Sequence, residues 1–371
     1  MAIELSTITF TDQDDIVPPS GVEEIVNTDM ANTLAGNDVI IGTADRYSIP
    51  TRVIYTSGEV GDLIIGTYNT TEGIINTNGG NDIITGISQG REGSIPIYGY
   101  GIYNDGGTID TGDGNDIVTG IGQGPEGIQG IISYPGGIIN SGNGNDTIMG
   151  TGSVIGIEIF YSSTLDTGNG NDIIAGTGDI QGLVNTSTNF NTGDGNDTII
   201  GHSKDYGVGL YNAGFIDTGN GNDIITGIMD GYGIVAIQNA QFGTIDTGNG
   251  NDIITSIGLF SNEGIINTGS GNDSIIAEGG FSSGFTDIGR VFLQNGKDYC
   301  KGFGGGIFNG GNGKDTLELT SGSYTVGISG TTVNFTKGST IMKTSEFEKL
   351  IAGSTTYDFS SLTNGQTIFV A

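Results

Sequence analysis

Eight aspartates, Asp82, Asp116, Asp146, Asp172, Asp197, Asp223, Asp252 and Asp273, close nearly the same frame: apolar, Asn or Asp, Thr, Gly-x-Gly-Asn-Asp-x-Ile. They recur at intervals of 34, 30, 26, 25, 26, 29 and 21 residues, and weaker copies end at Asp38, Asp62, Asp298 and Asp315. Stacked in register, such copies place one carboxylate every ~4.8 Å along one edge. Two unit charges at that spacing repel by about 3.5 kcal/mol at an effective dielectric of 20. Repeated along the stack, this rivals a whole domain's stability of roughly 5–15 kcal/mol. The carboxylates must protonate, turn into water or share cations, and a hard divalent cation fits best.

Calcium takes oxygen ligands from carboxylates and backbone carbonyls in irregular geometry. The turns Gly112-Asp113-Gly114 and Gly168-Asn169-Gly170 supply such carbonyls, and glycine permits the backbone angles that aim several of them at one point. The Asn before each Asp, as at Asn115, Asn145 and Asn171, is the non-glycine type that best tolerates a left-handed conformation. Magnesium demands stricter geometry, and zinc prefers His or Cys, of which only His202 and Cys300 exist. The alternative for each copy is an Asx turn with no ion.

Strands must position these turns. Two residues after the Asp stand Ile84, Val118, Ile148, Ile174, Ile199, Ile225, Ile254 and Ile275. Seven before it stand Ile75, Ile109, Ile139, Leu165, Phe190, Ile216, Ile245 and Ile266. The residue between Asp and the first set is Ile, Thr or Ser. Alternation puts both apolar sets inward and the mixed position outward. A third apolar stretch, as in Gly101-Ile102-Tyr103, Gly209-Leu210-Tyr211 and Gly233-Ile234-Val235, gives three strands per coil. The expectation is an all-β parallel solenoid of about ten coils, roughly 50 Å long. Insertions are expected after the strand, as in residues 88–107.

Composition agrees. Of 371 residues 71 are Gly but only 6 are Pro, which excludes collagen, and 35% are apolar, which argues against disorder. The net charge of −31 makes nucleic acid a poor partner. No segment is long and apolar enough to span a bilayer, no N-terminal export signal is apparent, and Cys300 alone makes no intramolecular disulfide.

The Gly-x-Gly-Asn-Asp-x-Ile unit resembles the hemolysin-type (RTX) calcium-binding repeat, Gly-Gly-x-Gly-x-Asp-x-apolar-x. The match covers 79–86, 112–119, 142–149, 168–175, 193–200, 219–226, 248–255, 269–276 and, most literally, Gly310 to Glu318. The resemblance implies calcium held between successive coils by Asp82, Asp116, Asp146, Asp172, Asp197, Asp223, Asp252, Asp273 and Asp315. Carbonyl ligands would come from Gly80, Gly112, Gly114, Gly142, Gly144, Gly168, Gly170, Gly193, Gly195, Gly219, Gly221, Gly248, Gly250, Gly269 and Gly271. The family's roll carries two repeats per coil, whereas one motif per ~25 residues implies ions along a single edge. That is similar to the single-edged calcium solenoids of some bacterial adhesins.

The chain divides into an N-terminal cap or arm (1–32), the repeats (33–315) and a C-terminal cap (316–371). In the last, Tyr324 to Val326 and Thr332 to Phe335 read as antiparallel strands joined by Ser-Gly turns, and 345–350 as a short helix or strand. The tail Thr367-Ile368-Phe369-Val370-Ala371 is similar to the family's type I secretion signal, which implies export.

Function is then expected to be that of a secreted, calcium-folded structural or adhesive surface protein (S-layer, sheath or fibre), with calcium, self-assembly or cell-surface polysaccharide as partners. The competing readings are a polysaccharide lyase or epimerase and an ice- or ligand-binding solenoid. Tyr98, Tyr100, Tyr103, Tyr134, Tyr161 and Tyr211 could stack on sugars. Yet Arg46, Arg52, Arg91 and Arg290 are scattered and His202 is alone, so no acid-base constellation accompanies them and no enzyme is expected. Ice binding is disfavoured by the charge between the glycines at Asp113 and Asp194.

Overall fold

Each coil contains three short strands, and each strand lies parallel and in register with its counterpart in the next coil. The structure, a computed structural model, describes residues 2–4, 8, 16–17, 24–26, 30–32, 39–44, 63–69, 73–89, 98–123, 128–282 and 288–371. One coil runs through Thr108–Asp110, the glycine turn, Ile117–Gln123 and Ile128–Ser133 before returning to Ile138–Asn140. Stacking these elements gives a first sheet of fifteen strands before the turn, a second of fourteen after it and a third of nine. The chain is a parallel β-solenoid. The second sheet is parallel from Ile16–Val17 to Lys349–Ala352, longer than about ten coils, because strands without the clean motif also join the stack.

The two inward rows are where alternation put them. Ile84, Ile199, Ile225, Ile75, Phe190 and Ile245 are all fully buried. The third row is Ile102, Ile131, Ile157, Leu183, Leu210 and Ile237, also fully buried. Ile234, expected in that row, is instead 69% exposed. Leu210 pairs with Ile237, because the longer coil places its extra residues ahead of the strand Val235–Asn239.

Glycine sets the cross-section. Gly120, Gly150 and Gly176 of the second sheet face Gly130, Gly156 and Gly182 of the third, and a side chain at any of them would collide with the opposite backbone. The two sheets therefore converge there, and isoleucine fills the wider space. One row of buried asparagines is satisfied from coil to coil. Asn185 Nδ2 donates to Asn212 Oδ1, Asn212 to Asn239 and Asn239 to Asn262, each at 2.9 Å, so the row leaves no amide unmatched.

The C-terminal end is closed by antiparallel strands, as expected: Gly322–Ser329 pairs with Thr332–Lys337 and with Thr367–Val370. The tail is thus a folded strand, with Ile368 and Val370 buried. The coil period outlasts residue 315, since Thr316–Leu319 remains parallel to Tyr299–Lys301 and Lys349–Ala352. Residues 345–350 form neither a single helix nor a single strand. A strand ends at Ser345, Glu346 turns at φ 57, and a new strand begins at Lys349. The weak copies at 34–38 and 58–62, with Arg46, Arg52, Arg91 and the side chain of Tyr98, lie outside the described residues.

Candidate metal centre

The glycine turn is a backbone ladder before it is anything else. Asn143 donates its N–H to the Gly112 carbonyl at 3.1 Å, and Gly114 donates to the Asn143 carbonyl at 2.7 Å. The same exchange recurs one coil on between Gly142, Asn169 and Gly144. Gly193 and Gly195 sit at φ 88 and 149, and a Cβ on Gly195 would strike the Gly170 carbonyl oxygen. Two constraints thus exclude side chains, left-handed backbone and contact along the stack. Gly195→Ala should destabilise the rod by about 3 kcal/mol or more, read as a lower urea midpoint in the full chain; an unchanged midpoint would contradict this packing.

The first-glycine carbonyls of Gly112, Gly142, Gly193, Gly219, Gly248 and Gly269 accept an N–H of the ladder, whereas those of the second glycine do not. The carbonyls of Gly114, Gly144, Gly170, Gly195, Gly221 and Gly250 accept no hydrogen bond among the described residues. Each lies against the second glycine of the next coil, where a Cβ would fill the space.

The aspartates stack as predicted, but they point inward instead of fringing an exposed edge. Asp82, Asp116, Asp146, Asp172, Asp197, Asp223, Asp252, Asp273, Asp298 and Asp315 are all 0–1% exposed. One carboxylate oxygen of each serves the stack. Asp82 donates its backbone N–H to Asp116 Oδ1 at 2.7 Å, and the pattern continues at 2.8–2.9 Å to Asp315. The last rung is closed from the cap, where Glu348 Oε2 accepts the Asp315 N–H at 2.7 Å.

The second oxygen is left over. Oδ2 of Asp116, Asp146, Asp172, Asp197, Asp223, Asp252, Asp273, Asp298 and Asp315 is buried with no hydrogen-bond partner. Burial raises the pKa of each of these groups, and neighbouring carboxylates add to it at all but Asp273. Asp116, Asp146, Asp223, Asp252, Asp273 and Asp315 rise to about 6, and Asp197 and Asp298 to about 7. Holding one such group ionised costs roughly 3 kcal/mol, at 1.36 kcal/mol per pKa unit. At neutral pH the groups near 6 are mostly ionised, so the bare run costs the rod stability there. Among the described residues no three His, Cys, Asp or Glu side chains converge; the carboxylates form a line, one per coil.

Within the described turns Asn115, Asn145 and Asn171 are not left-handed; the non-glycine residues with positive φ are Asn78, Ser162, Gln294 and Glu346. The turn asparagines have another task. Asn145 donates its backbone N–H to Asn115 Oδ1 at 2.7 Å, and Asn171 to Asn145 in the same way, forming an exposed amide rank. A second exposed rank runs between the glycines, where Asn143 Nδ2 donates to Asp113 Oδ1 at 2.6 Å and Asn169 to Asn143 at 2.8 Å.

Asp298, the end of a weaker copy, with Gly-Lys in place of Gly-Asn before it, joins the ladder in full. Glu348, which lies beyond the repeats and carries no signal, is the member that sequence does not announce. Of the candidate tyrosines, Tyr161 is exposed, whereas Tyr103 and Tyr134 lie in a row of rings. Tyr134 stacks on Phe160 at 4.8 Å and 9°, and Tyr103 lies 5.0 Å from Tyr134, so these rings cover one another's faces. His202 pairs with Asp230 at 2.7 Å on the outer side of the second sheet, and Cys300 is fully buried, its thiol pushed up to about 12. Among the described residues no helix is long and apolar enough to cross a membrane.

No protein-family model matches the chain, and neither does any curated protein sequence. Among solved structures the chain is similar to a hyperactive, Ca2+-dependent, β-helical antifreeze protein from an Antarctic bacterium. The two are 18% identical with a TM-score of 0.39, over 85% of this chain and 81% of that one.

Proposed function

We propose that this chain is a calcium-folded structural rod, exported in the manner of the RTX-like repeat proteins that its turns resemble and used at the cell surface as an adhesive, sheath or fibre component. One observation carries the calcium part: the same turns hold a buried row of carboxylate oxygens and a row of glycine carbonyls, neither of which has a hydrogen-bond partner among the described residues. Asp116, Asp146, Asp172, Asp197, Asp223, Asp252, Asp273, Asp298 and Asp315 would hold the ions through Oδ2, and Gly114, Gly144, Gly170, Gly195, Gly221 and Gly250 through their carbonyls. Calcium, when bound, supplies positive charge that neutralises neighbouring rungs and joins one coil to the next.

Supporting a structural role is the use of the described chain in coils and cap. Because calcium binds only the ordered turn, its scarcity inside a cell and abundance outside would couple folding to export. Titrating calcium into a chelated sample at pH 7.5 should raise the far-UV β signal in one transition; a β signal indifferent to calcium would defeat the reading.

A second reading, binding to ice or another ordered surface, is favoured by the two exposed amide ranks, which hold each other in fixed register. It predicts thermal hysteresis that Asn169→Asp with Asn220→Asp abolishes, because each change removes an amide donor that holds the rank in register, at Asn143 and Asp194.

A further inference from the structure

The outer surface of the second sheet differs from the rest of this acidic molecule. Its first column after the aspartates is Ile117, Thr147, Ile173, Thr198, Ile224 and Ile253, aligned coil by coil. The next two outward columns are of the same kind, and from strand Ile83–Gln89 to strand Ile253–Ile257 only Met149, Ala175 and His202 depart from Ile and Thr. No carboxylate or lysine points outward from these positions. The net charge of −31 is carried elsewhere, as on the first sheet at Asp110, Asp166, Asp217 and Asp246. The apolar groups are open to solvent: Ile173 is 42% exposed, Ile224 40% and Ile257 46%.

We propose that this Ile/Thr face is where two copies of the chain pair, sheet against sheet, about a two-fold axis. Three features select a second copy as the occupant. First, area: strands ~4.8 Å apart, with three outward residues each, make a face of about 30 by 20 Å. Two such faces, which mix Ile with Thr, bury on the order of 1,200 Å², the lower bound of stable protein interfaces.

Second, charge: within these columns His202 is the one ionisable side chain, and Asp230 meets it at 2.7 Å, so an identical face matches this one without burying an unpaired charge. Third, preorganisation: Ile and Thr are stiff about χ1, so ordering them across an interface costs little entropy, and flat sheets pack face to face at about 10 Å. The acidic remainder of each rod repels its neighbour, which salt screens, so pairing should tighten with sodium chloride.

The inference rests on the solenoid and not on the calcium reading. Sedimentation velocity of the full chain in millimolar calcium should give a dimer with a micromolar Kd. Ile173→Lys with Ile224→Lys places charge on the face through side chains that already reach solvent, and should raise that Kd at least 100-fold with an unchanged β signal. Ile138→Lys, on the exposed side of the first sheet (38% exposed), adds charge of the same sign and should leave the dimer intact. A monomeric parent at about 100 µM, or a double variant that dimerises like the parent, overturns the proposal. A monomeric parent whose thermal hysteresis is lost in the double variant also overturns it, by assigning the face to ice. Failure of the calcium reading would show separately, as a β signal indifferent to calcium in every variant.

Discussion

Stripped of calcium, the rod is most stable near pH 4 and loses stability as the pH climbs to 8. The sign follows from the aspartate row. Burial raises Asp116, Asp146, Asp223 and Asp252 from 3.8 to about 6, and Asp197 to about 7. The folded row then holds more protons than the unfolded chain throughout that window, so stability falls with rising pH. Below the unfolded value the contribution is fully present; it is lost as pH passes the folded values. If only two rungs cost roughly 3 kcal/mol each, the loss is about 6 kcal/mol and the melting temperature of a chain this long drops by about 8 °C. Calcium reverses the slope, because it occupies the oxygens that protons would take. Thermal melts from pH 4 to 8, with chelator and with millimolar calcium, should coincide at pH 4 and diverge by pH 8. Parallel curves would show that the row neither titrates nor binds metal.

The second large effect is a mutation whose sign depends on the solvent. Asp197 Oδ1 accepts the Asp172 N–H at 2.8 Å, and Asp223 Oδ1 accepts that of Asp197 at 2.8 Å. Replacing both by Asn keeps those acceptors and the shape while removing two buried charges. In chelator at pH 7.5 the Asp197→Asn, Asp223→Asn protein should melt several degrees above the parent, because the ionisation penalty has gone. In millimolar calcium it should melt below the parent, because two carboxylate ligands have gone. Asp197→Ala, which also removes the acceptor, should destabilise in both solvents by about 1–3 kcal/mol. A double Asn variant shifted in the same direction in both solvents would mean that the row is only a hydrogen-bond ladder.

The fold was readable because one coil states it many times. A β-branched residue two positions after every Asp, and an apolar one seven before it, leave a single face for each strand, and all of those residues are buried. Where the coil length changes the signal blurs: Gly233-Ile234 mimics the strand start, yet Ile237 takes the core position. The direction of the aspartates was not readable. Position within the motif says that carboxylates align, but whether they fringe the turn or enter it depends on the backbone path through Gly193 and Gly195, which sends Asp197 inward. The turn asparagines were misread for a related reason. Their preference for left-handed backbone is a single-residue property, whereas Asn115 and Asn145 are held by hydrogen bonds between coils. Glu348, which closes the ladder, comes from the cap, and no local pattern could announce a partner so distant in sequence.

The most direct measurement is the number of calcium ions carried by the rod after gel filtration at pH 7.5 into metal-free buffer, counted by atomic emission against protein concentration. The buried, partnerless oxygens of successive aspartates predict several ions per chain, fewer in the Asp197→Asn, Asp223→Asn protein. A chain with its full β signal at this pH and fewer than one calcium ion would contradict the account.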